Sequence, residues 1–98
     1  MDTINPEELK VRPAQGESLY LIDVREDEEV AVGMIPTAIH IPLGQLPDRH
    51  GEIQRVDEII LICRSGNRSG KAHDYLQMLG FTGLKNMTGG MLAWEKLD

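Results

Sequence analysis

The sequence is poor in cysteine, because Cys63 is its only thiol. A lone cysteine cannot form an intramolecular disulfide or a Cys-x-x-Cys metal site, and it leaves the histidines without thiolate co-ligands. We therefore expect no structural zinc, no other metal and no cofactor.

Long apolar runs and a surplus of basic residues are also absent. No run approaches the roughly 20 apolar residues that a membrane-spanning helix requires, and the acidic residues 1–8 do not resemble a secretion signal. Lys and Arg number 10 against 16 Asp and Glu, which gives a net charge of −6. Because phosphate backbones are bound by an excess of Lys and Arg, this charge argues against nucleic acid as a partner. From the three observations together we expect a cytoplasmic protein that binds neither nucleic acid nor membranes.

What remains is the composition of a small folded domain. Hydrophobic residues make up 41% and charged residues 27% of the 98 residues, which is ordinary for a globular protein. A chain of this length forms one core. We therefore predict a single domain over residues 1–98.

Four apolar segments predict strands. Residues 19–24 and 58–62 are nearly continuous apolar runs, the pattern of strands buried on both faces of a parallel sheet. Residues 39–41 and 84–87 are shorter candidates.

Two patterns predict the main helices. Asn5 and Pro6 have the residue types of an N-cap and a first helical position, and that helix ends over residues 14–16. A second helix has apolar residues at i, i+3, i+4 and i+7 and stops at Gly80; they are Ala72, Tyr75, Leu76 and Leu79. Residues 26–32 and 43–53 predict helical or irregular crossovers, and residues 91–97 a last short helix.

Strands that alternate with helices indicate an α/β fold, a central parallel sheet with helices on both faces. Functional sites in such sheets lie beyond the carboxyl ends of the strands. Cys63 follows the predicted strand 58–62 and therefore lies at such a position.

The loop after that strand has the composition of an anion site. Backbone N–H groups of a small polar loop and of a helix start converge on one point, where they stabilise an anion and lower the pKa of a thiol. We therefore predict Cys63 as a nucleophile, although a free cysteine can also be a small core residue. Six candidate substrate-binding residues follow it: Arg64, Ser65, Gly66, Asn67, Arg68 and Ser69.

Each loop residue has an expected role and a simpler alternative. Arg64 and Arg68 would hold a sulfonate or sulfate-like group, with Arg68 favoured, although one of them could be a solvated side chain. Ser65 and Ser69 would donate hydroxyl groups or cap the helix, whereas Gly66 and Asn67 would permit unusual loop dihedrals.

Other polar residues predict structural roles near the site. Asp23 and Arg25 lie at the end of a central strand and predict an ion pair that supports the site without taking part in catalysis. His40 lies between isoleucines and predicts a structural histidine. Trp94 predicts a core anchor for the last helix.

Four segments form a recognisable set in this order: Asp23-Val24-Arg25-Glu26, Gly33-Met34-Ile35-Pro36-Thr37-Ala38-Ile39-His40-Ile41-Pro42, Cys63-Arg64-Ser65-Gly66-Asn67-Arg68-Ser69 and Gly89-Gly90-Met91-Leu92-Ala93-Trp94. Taken together, they resemble the single-domain members of the rhodanese (sulfurtransferase) family. Met34 stands where His is common in that family, and Thr37 stands where Gly is common.

The resemblance implies an α/β fold and a catalytic cysteine that carries sulfur as a persulfide in a cradle of loop amides. We therefore expect transfer of sulfane sulfur from a small anionic donor such as thiosulfate. Because no second cysteine can resolve a persulfide on Cys63, the acceptor would be external, either cyanide, a small thiol or a protein thiol. Ping-pong kinetics would follow.

Three alternatives stay open at this point. A cysteine phosphatase or arsenate reductase would place five residues between its cysteine and arginine, whereas four separate Cys63 from Arg68. A dedicated persulfide carrier or a regulatory binding domain could use the same loop.

Overall fold

The computed structural model describes residues 2–97. Strands and helices alternate along these residues, and short 3-10 turns flank the third helix. The elements are β1 (Asp2–Ile4), α1 (Pro6–Ala14), β2 (Leu21–Asp23), α2 (Asp27–Val32), β3 (Ile39–His40), α3 (Leu46–Arg49), β4 (Ile59–Ile62), α4 (Asn67–Met78), β5 (Leu84–Met87) and α5 (Gly90–Trp94).

The five strands form one parallel sheet in the order β1-β5-β4-β2-β3. Leu46 of α3 and Leu76 of α4 belong to the core on one face, and Leu9 of α1 and Met91 of α5 belong to the core on the other. The predicted α/β architecture is therefore confirmed. Among residues 2–97 no helix is long and apolar enough to cross a membrane.

The four predicted strands form, and the sheet contains one that the sequence did not predict. All four residues of β4 are buried, as the apolar run 58–62 indicates. The strand predicted over residues 19–24 is shorter in the structure, although the Val24 N–H still donates to the carbonyl of Ile62 at 2.9 Å. The unpredicted strand is β1, whose only buried residue is Ile4.

The helix boundaries follow their capping signals. The Asn5 side chain accepts a hydrogen bond from the Glu8 N–H at 2.8 Å, so Asn5 is the N-cap of α1. Helix α4 ends just before Gly80, whose φ of 91° does not suit a further helical residue. Helix α5 is shorter than predicted and ends at Trp94.

Candidate active site

Cys63 lies directly beyond the carboxyl end of β4, the central strand of the sheet. Its residue surface is only 1% exposed. The buried strand before it and α4 after it fix the position of the thiol, as the sequence predicts for a site in an α/β sheet.

The sulfur of Cys63 is held by the loop that follows it. The Gly66 N–H donates to Sγ at 2.9 Å, and Ser69 Oγ lies 3.3 Å from Sγ. Gly66 has a φ of 106°, in the left-handed region that residues with a side chain avoid. This turn directs the chain back over the sulfur before α4 begins.

These contacts change the protonation of the thiol. Burial is the largest influence and would by itself raise its pKa. The contact with Ser69 Oγ and hydrogen bonds from the backbone N–H groups of Ser69, Gly66 and Ser65 outweigh burial, so the pKa of the thiol falls below its ordinary value. Since the thiolate is the nucleophilic form of cysteine, this environment favours the reactive form of Cys63.

A buried amide that the sequence analysis did not single out lies behind the loop. Asn86 of β5 donates from Nδ2 to the Gly66 carbonyl at 3.0 Å, and its Oδ1 accepts the Ser69 hydroxyl. Asn86 is 9% exposed, and a buried side-chain amide requires such partners. The sequence does contain a signal for Asn86, because it is a polar residue near the carboxyl end of the predicted strand 84–87. That position lies at the same end of the sheet as Cys63.

The start of α5 packs against the backbone of Cys63 and Arg64. The Met91 N–H donates to the Cys63 carbonyl at 2.8 Å, and the Leu92 N–H donates to the Arg64 carbonyl at 3.0 Å. A β-carbon at Gly90 would collide with the backbone carbonyl of Arg64, and the φ of Gly90 is 58°. Only glycine therefore fits this contact.

The two arginines of the loop have different environments. Arg64 is exposed, and within residues 2–97 no hydrogen bond or ion pair is recorded for its side chain. Arg68 is half-buried and bonds the Glu29 carboxylate through Nη1–Oε1 at 2.6 Å and Nη2–Oε2 at 2.7 Å. The guanidinium that the sequence favoured for binding an anion is therefore already engaged by a carboxylate.

The remaining loop side chains divide between the interior and the surface. Ser69 is fully buried beside the sulfur. Ser65 and Asn67 are exposed, and Ser65 acts on the thiol through its backbone N–H. The structure thus brings the Ser69 hydroxyl, but not the other two side chains, to Cys63.

The predicted ion pair at the end of β2 is formed. Arg25 Nη2 donates to Asp23 Oδ2 at 2.9 Å and to the Gly33 carbonyl at 2.8 Å. His40 Nε2 lies 2.7 Å from the Arg25 carbonyl oxygen, a contact that suits the structural role predicted for this histidine. In the sheet, Asp23 pairs with Ile62, the residue before Cys63.

Comparison with known proteins identifies the family. The family model described as the rhodanese-like domain matches residues 5–97. The chain belongs to the rhodanese family.

Relatives of this rhodanese-like domain carry the name sulfurtransferase. A putative sulfurtransferase of Bacillus subtilis, YtwF, is 51% identical over 87 residues, which cover 89% of this chain and 84% of that protein. A sulfurtransferase of Allochromatium vinosum is 38% identical over 96 residues, which cover 98% of this chain and 90% of that protein. Both findings support a sulfurtransferase activity for this chain.

A solved structure supports the same family. The crystal structure of a rhodanese-like domain protein from Staphylococcus aureus is 36% identical and matches with a TM-score of 0.90 over 100% of this chain and 97% of that one. In this rhodanese-like domain no residue other than glycine has a positive φ within residues 2–97. Thr37 therefore adopts an ordinary backbone conformation at the position where glycine is common.

Proposed function

We propose that this protein transfers sulfane sulfur from a small anionic donor such as thiosulfate to an external acceptor through a persulfide on Cys63. The observation that carries the proposal is the buried sulfur, which accepts the Gly66 N–H at 2.9 Å in a loop that lowers the pKa of the thiol. Loop amides aimed at one sulfur atom suit a sulfur that carries negative charge.

Loading the enzyme is a displacement at sulfur. The Cys63 thiolate attacks the outer sulfur of thiosulfate, a new S–S bond forms, and the bond between the two donor sulfurs breaks. Sulfite leaves with the bonding electron pair. We assign the departing charge to Arg64 in place of Arg68, because Arg64 is exposed whereas Arg68 is paired with Glu29.

Unloading returns the enzyme to its first state. A thiophilic acceptor, either cyanide or a thiolate, attacks the outer sulfur of the persulfide, and the Cys63 thiolate leaves. The products are thiocyanate or the persulfide of the acceptor. Since the chain has one cysteine, the acceptor is external and the two half-reactions follow ping-pong kinetics. A thiol that works in this way suits the cytoplasm, where thiols stay reduced.

The supporting residues have distinct proposed tasks. The backbone N–H groups of Ser65 and Gly66 stabilise the thiolate and the persulfide, and the Ser69 hydroxyl, which donates to Asn86 Oδ1 in the structure, turns its proton to the sulfur when the sulfur is charged. The Asp23–Arg25 pair holds the end of β2 beside the nucleophile. Asn67 starts α4 and contributes through the loop backbone.

The test is the intact mass of the protein after incubation with thiosulfate and again after cyanide. We expect a gain of one sulfur atom that cyanide removes. Cys63→Ser should prevent the gain and reduce turnover to background while leaving the melting temperature nearly unchanged, because the serine hydroxyl fits a pocket that already holds hydrogen-bond donors. Turnover retained in that variant would overturn the persulfide mechanism.

A loaded protein that fails to turn over with cyanide or thiols would instead be a dedicated carrier. Hydrolysis of an aryl phosphate that depends on Cys63, without any gain of sulfur, would favour the phosphatase alternative. No reaction of either kind, with Cys63 free and reactive, would leave a binding domain.

A further inference from the structure

The ion pair between Glu29 and Arg68 joins two segments that are far apart in sequence. Glu29 lies on α2 and Arg68 is the second residue of α4. Their side chains are 28% and 29% exposed, and the two hydrogen bonds between them form a parallel fork. Such bidentate pairs have a well-defined geometry. The bonds from Arg68 are the largest reason that the pKa of Glu29 falls to about 2, so the carboxylate is charged at neutral pH.

Arg68 also interacts electrostatically with the nucleophile. The bonds to Glu29 are the largest cause of the raised pKa of Arg68, burial opposes them, and the charge of Cys63 adds to the rise. Arg68 precedes Ser69, whose hydroxyl lies 3.3 Å from the sulfur. Without its carboxylate partner, Arg68 would be a second available cation beside Cys63.

Glu29 is itself fixed by the helix that carries it. Its Oε1 accepts the Glu26 N–H at 3.0 Å, and the Glu26 side chain accepts the Glu29 N–H in return, which is a capping box. Because none of the six residues of α2 is buried, polar contacts such as these position the helix. The Glu29 carboxylate is therefore held by the Glu26 N–H of its own helix and by the Arg68 guanidinium of α4.

We propose that Glu29 is a specificity-determining residue. By pairing with Arg68 it leaves Arg64 as the available cation of the loop, and so it lowers the preference of Cys63 for anionic reagents over neutral ones. The inference rests on the proposed function only in taking the reagent to be a sulfur donor. It predicts that a site of this kind accepts uncharged sulfur donors more readily than its two arginines would suggest.

The test compares two alkylating reagents of nearly equal size, anionic iodoacetate and neutral iodoacetamide. The ratio of their rates with Cys63 cancels changes in the thiolate fraction and requires no sulfur transfer. In Glu29→Gln the ratio should rise by about threefold to tenfold, the effect of one nearby charge in a largely aqueous setting. The glutamine oxygen can still accept the Glu26 N–H and keep the capping box.

Two further variants isolate the cause. Glu28→Gln makes the same change in net charge at an exposed neighbouring position, and its ratio should match that of the unaltered protein. Glu29→Gln combined with Arg68→Ala should lose the rise, because the released cation is gone. High salt should also reduce the rise.

Each contrary result has a defined meaning. An unchanged or lower ratio in Glu29→Gln would overturn the proposal, and so would a rise that persists without Arg68 or appears equally in Glu28→Gln. If the alkylation ratio rises as expected but thiosulfate never loads sulfur onto Cys63, the proposed function fails and the role of Glu29 stands.

Discussion

At the carboxyl end of the sheet Glu29 pairs with Arg68 of α4, and at the amino end Glu58 pairs with Arg12 of α1 and Lys85 of β5. The Glu58 contacts are 2.6 Å to each cation. The cations at each end lower the pKa of their carboxylate to about 2. Both clusters connect elements that are distant in sequence, but only the first lies beside the Cys63 thiol.

Each end of the sheet also has a glycine that packs closely against the backbone of another segment. A β-carbon at Gly83, at the amino end, would collide with the carbonyl of Asp57, and one at Gly90, at the carboxyl end, would collide with that of Arg64. Each end of the sheet is therefore held together by an ion pair and by a glycine packed against the backbone of another segment. The carboxyl end differs in one respect, because there the ion pair and the glycine lie near the Cys63 thiol, which receives backbone N–H groups of the loop.

The largest expected effect comes from alanine at either glycine. Gly83→Ala and Gly90→Ala should each lower the free energy of unfolding by about 3 kcal/mol or more, since both add a backbone collision at a positive φ. Urea denaturation measures the loss. Per folded molecule, Gly83→Ala should keep its sulfur-transfer rate, whereas Gly90→Ala should lose it because the Cys63 carbonyl is displaced. An equal loss of rate in both variants would contradict the division between the ends.

An intermediate effect is expected from acid. The pKa of Glu29 and that of Glu58 are about 2 in the folded protein, below their ordinary value of 4.5. Both carboxylates therefore stabilise the fold fully above about pH 4.5, and this contribution is lost as the pH falls toward 2. Glu58→Gln should remove about 1–2 kcal/mol of the difference in unfolding free energy between about pH 6 and pH 3, after discounting for partial exposure.

The control for that measurement lies at the other end of the sheet. Glu29→Gln should flatten the same pH dependence of urea denaturation, yet only Glu29→Gln should alter the reagent preference of Cys63. A changed iodoacetate to iodoacetamide ratio in Glu58→Gln would show that the two clusters are coupled through the sheet.

The smallest expected effect is a difference between Arg64→Ala and Arg68→Ala in the KM for thiosulfate. Arg64→Ala should raise the KM for thiosulfate by about threefold to tenfold with little change in stability, as expected for one exposed cation near an anion. Arg68→Ala should raise it less and lower the melting temperature instead, because it leaves Glu29 unpaired. Steady-state kinetics with cyanide in excess provide the comparison. A larger KM effect for Arg68→Ala would mean that the donor displaces Glu29, and it would count against our proposal for Glu29.

Local signals in the sequence predicted most of the fold. The apolar run before Cys63 gave β4, the Asn5 cap gave the start of α1, and Gly80 marked the end of α4. These signals are readable because each depends on neighbours within a few residues. The position of Cys63 at the carboxyl end of a central strand followed from the same patterns.

Contacts between distant residues could not be predicted in this way. Strand β1 is three residues long and has one buried side chain, so its pairing with β5 is decided by the sheet and not by a local pattern. Asn86 and Ser69 meet only because α4 packs on β5. Glu29 stood in an acidic run whose ordinary interpretation is a solvated surface, and nothing local indicated that Arg68 would reach it.

The pairing of β1 with β5 also constrains how the protein is made. Ile4 lies in register with Met87, so β1 leaves the ribosome without a partner and stays unpaired until β5, the last strand of the sheet, has been synthesised. Until then β1 has no strand to pair with, and the edge of β4 that pairs with β5 in the finished sheet is also unpaired. The sheet therefore cannot be completed before residues 84–87 are available, and a stalled chain that ends before residue 84 would present an open strand edge to its neighbours.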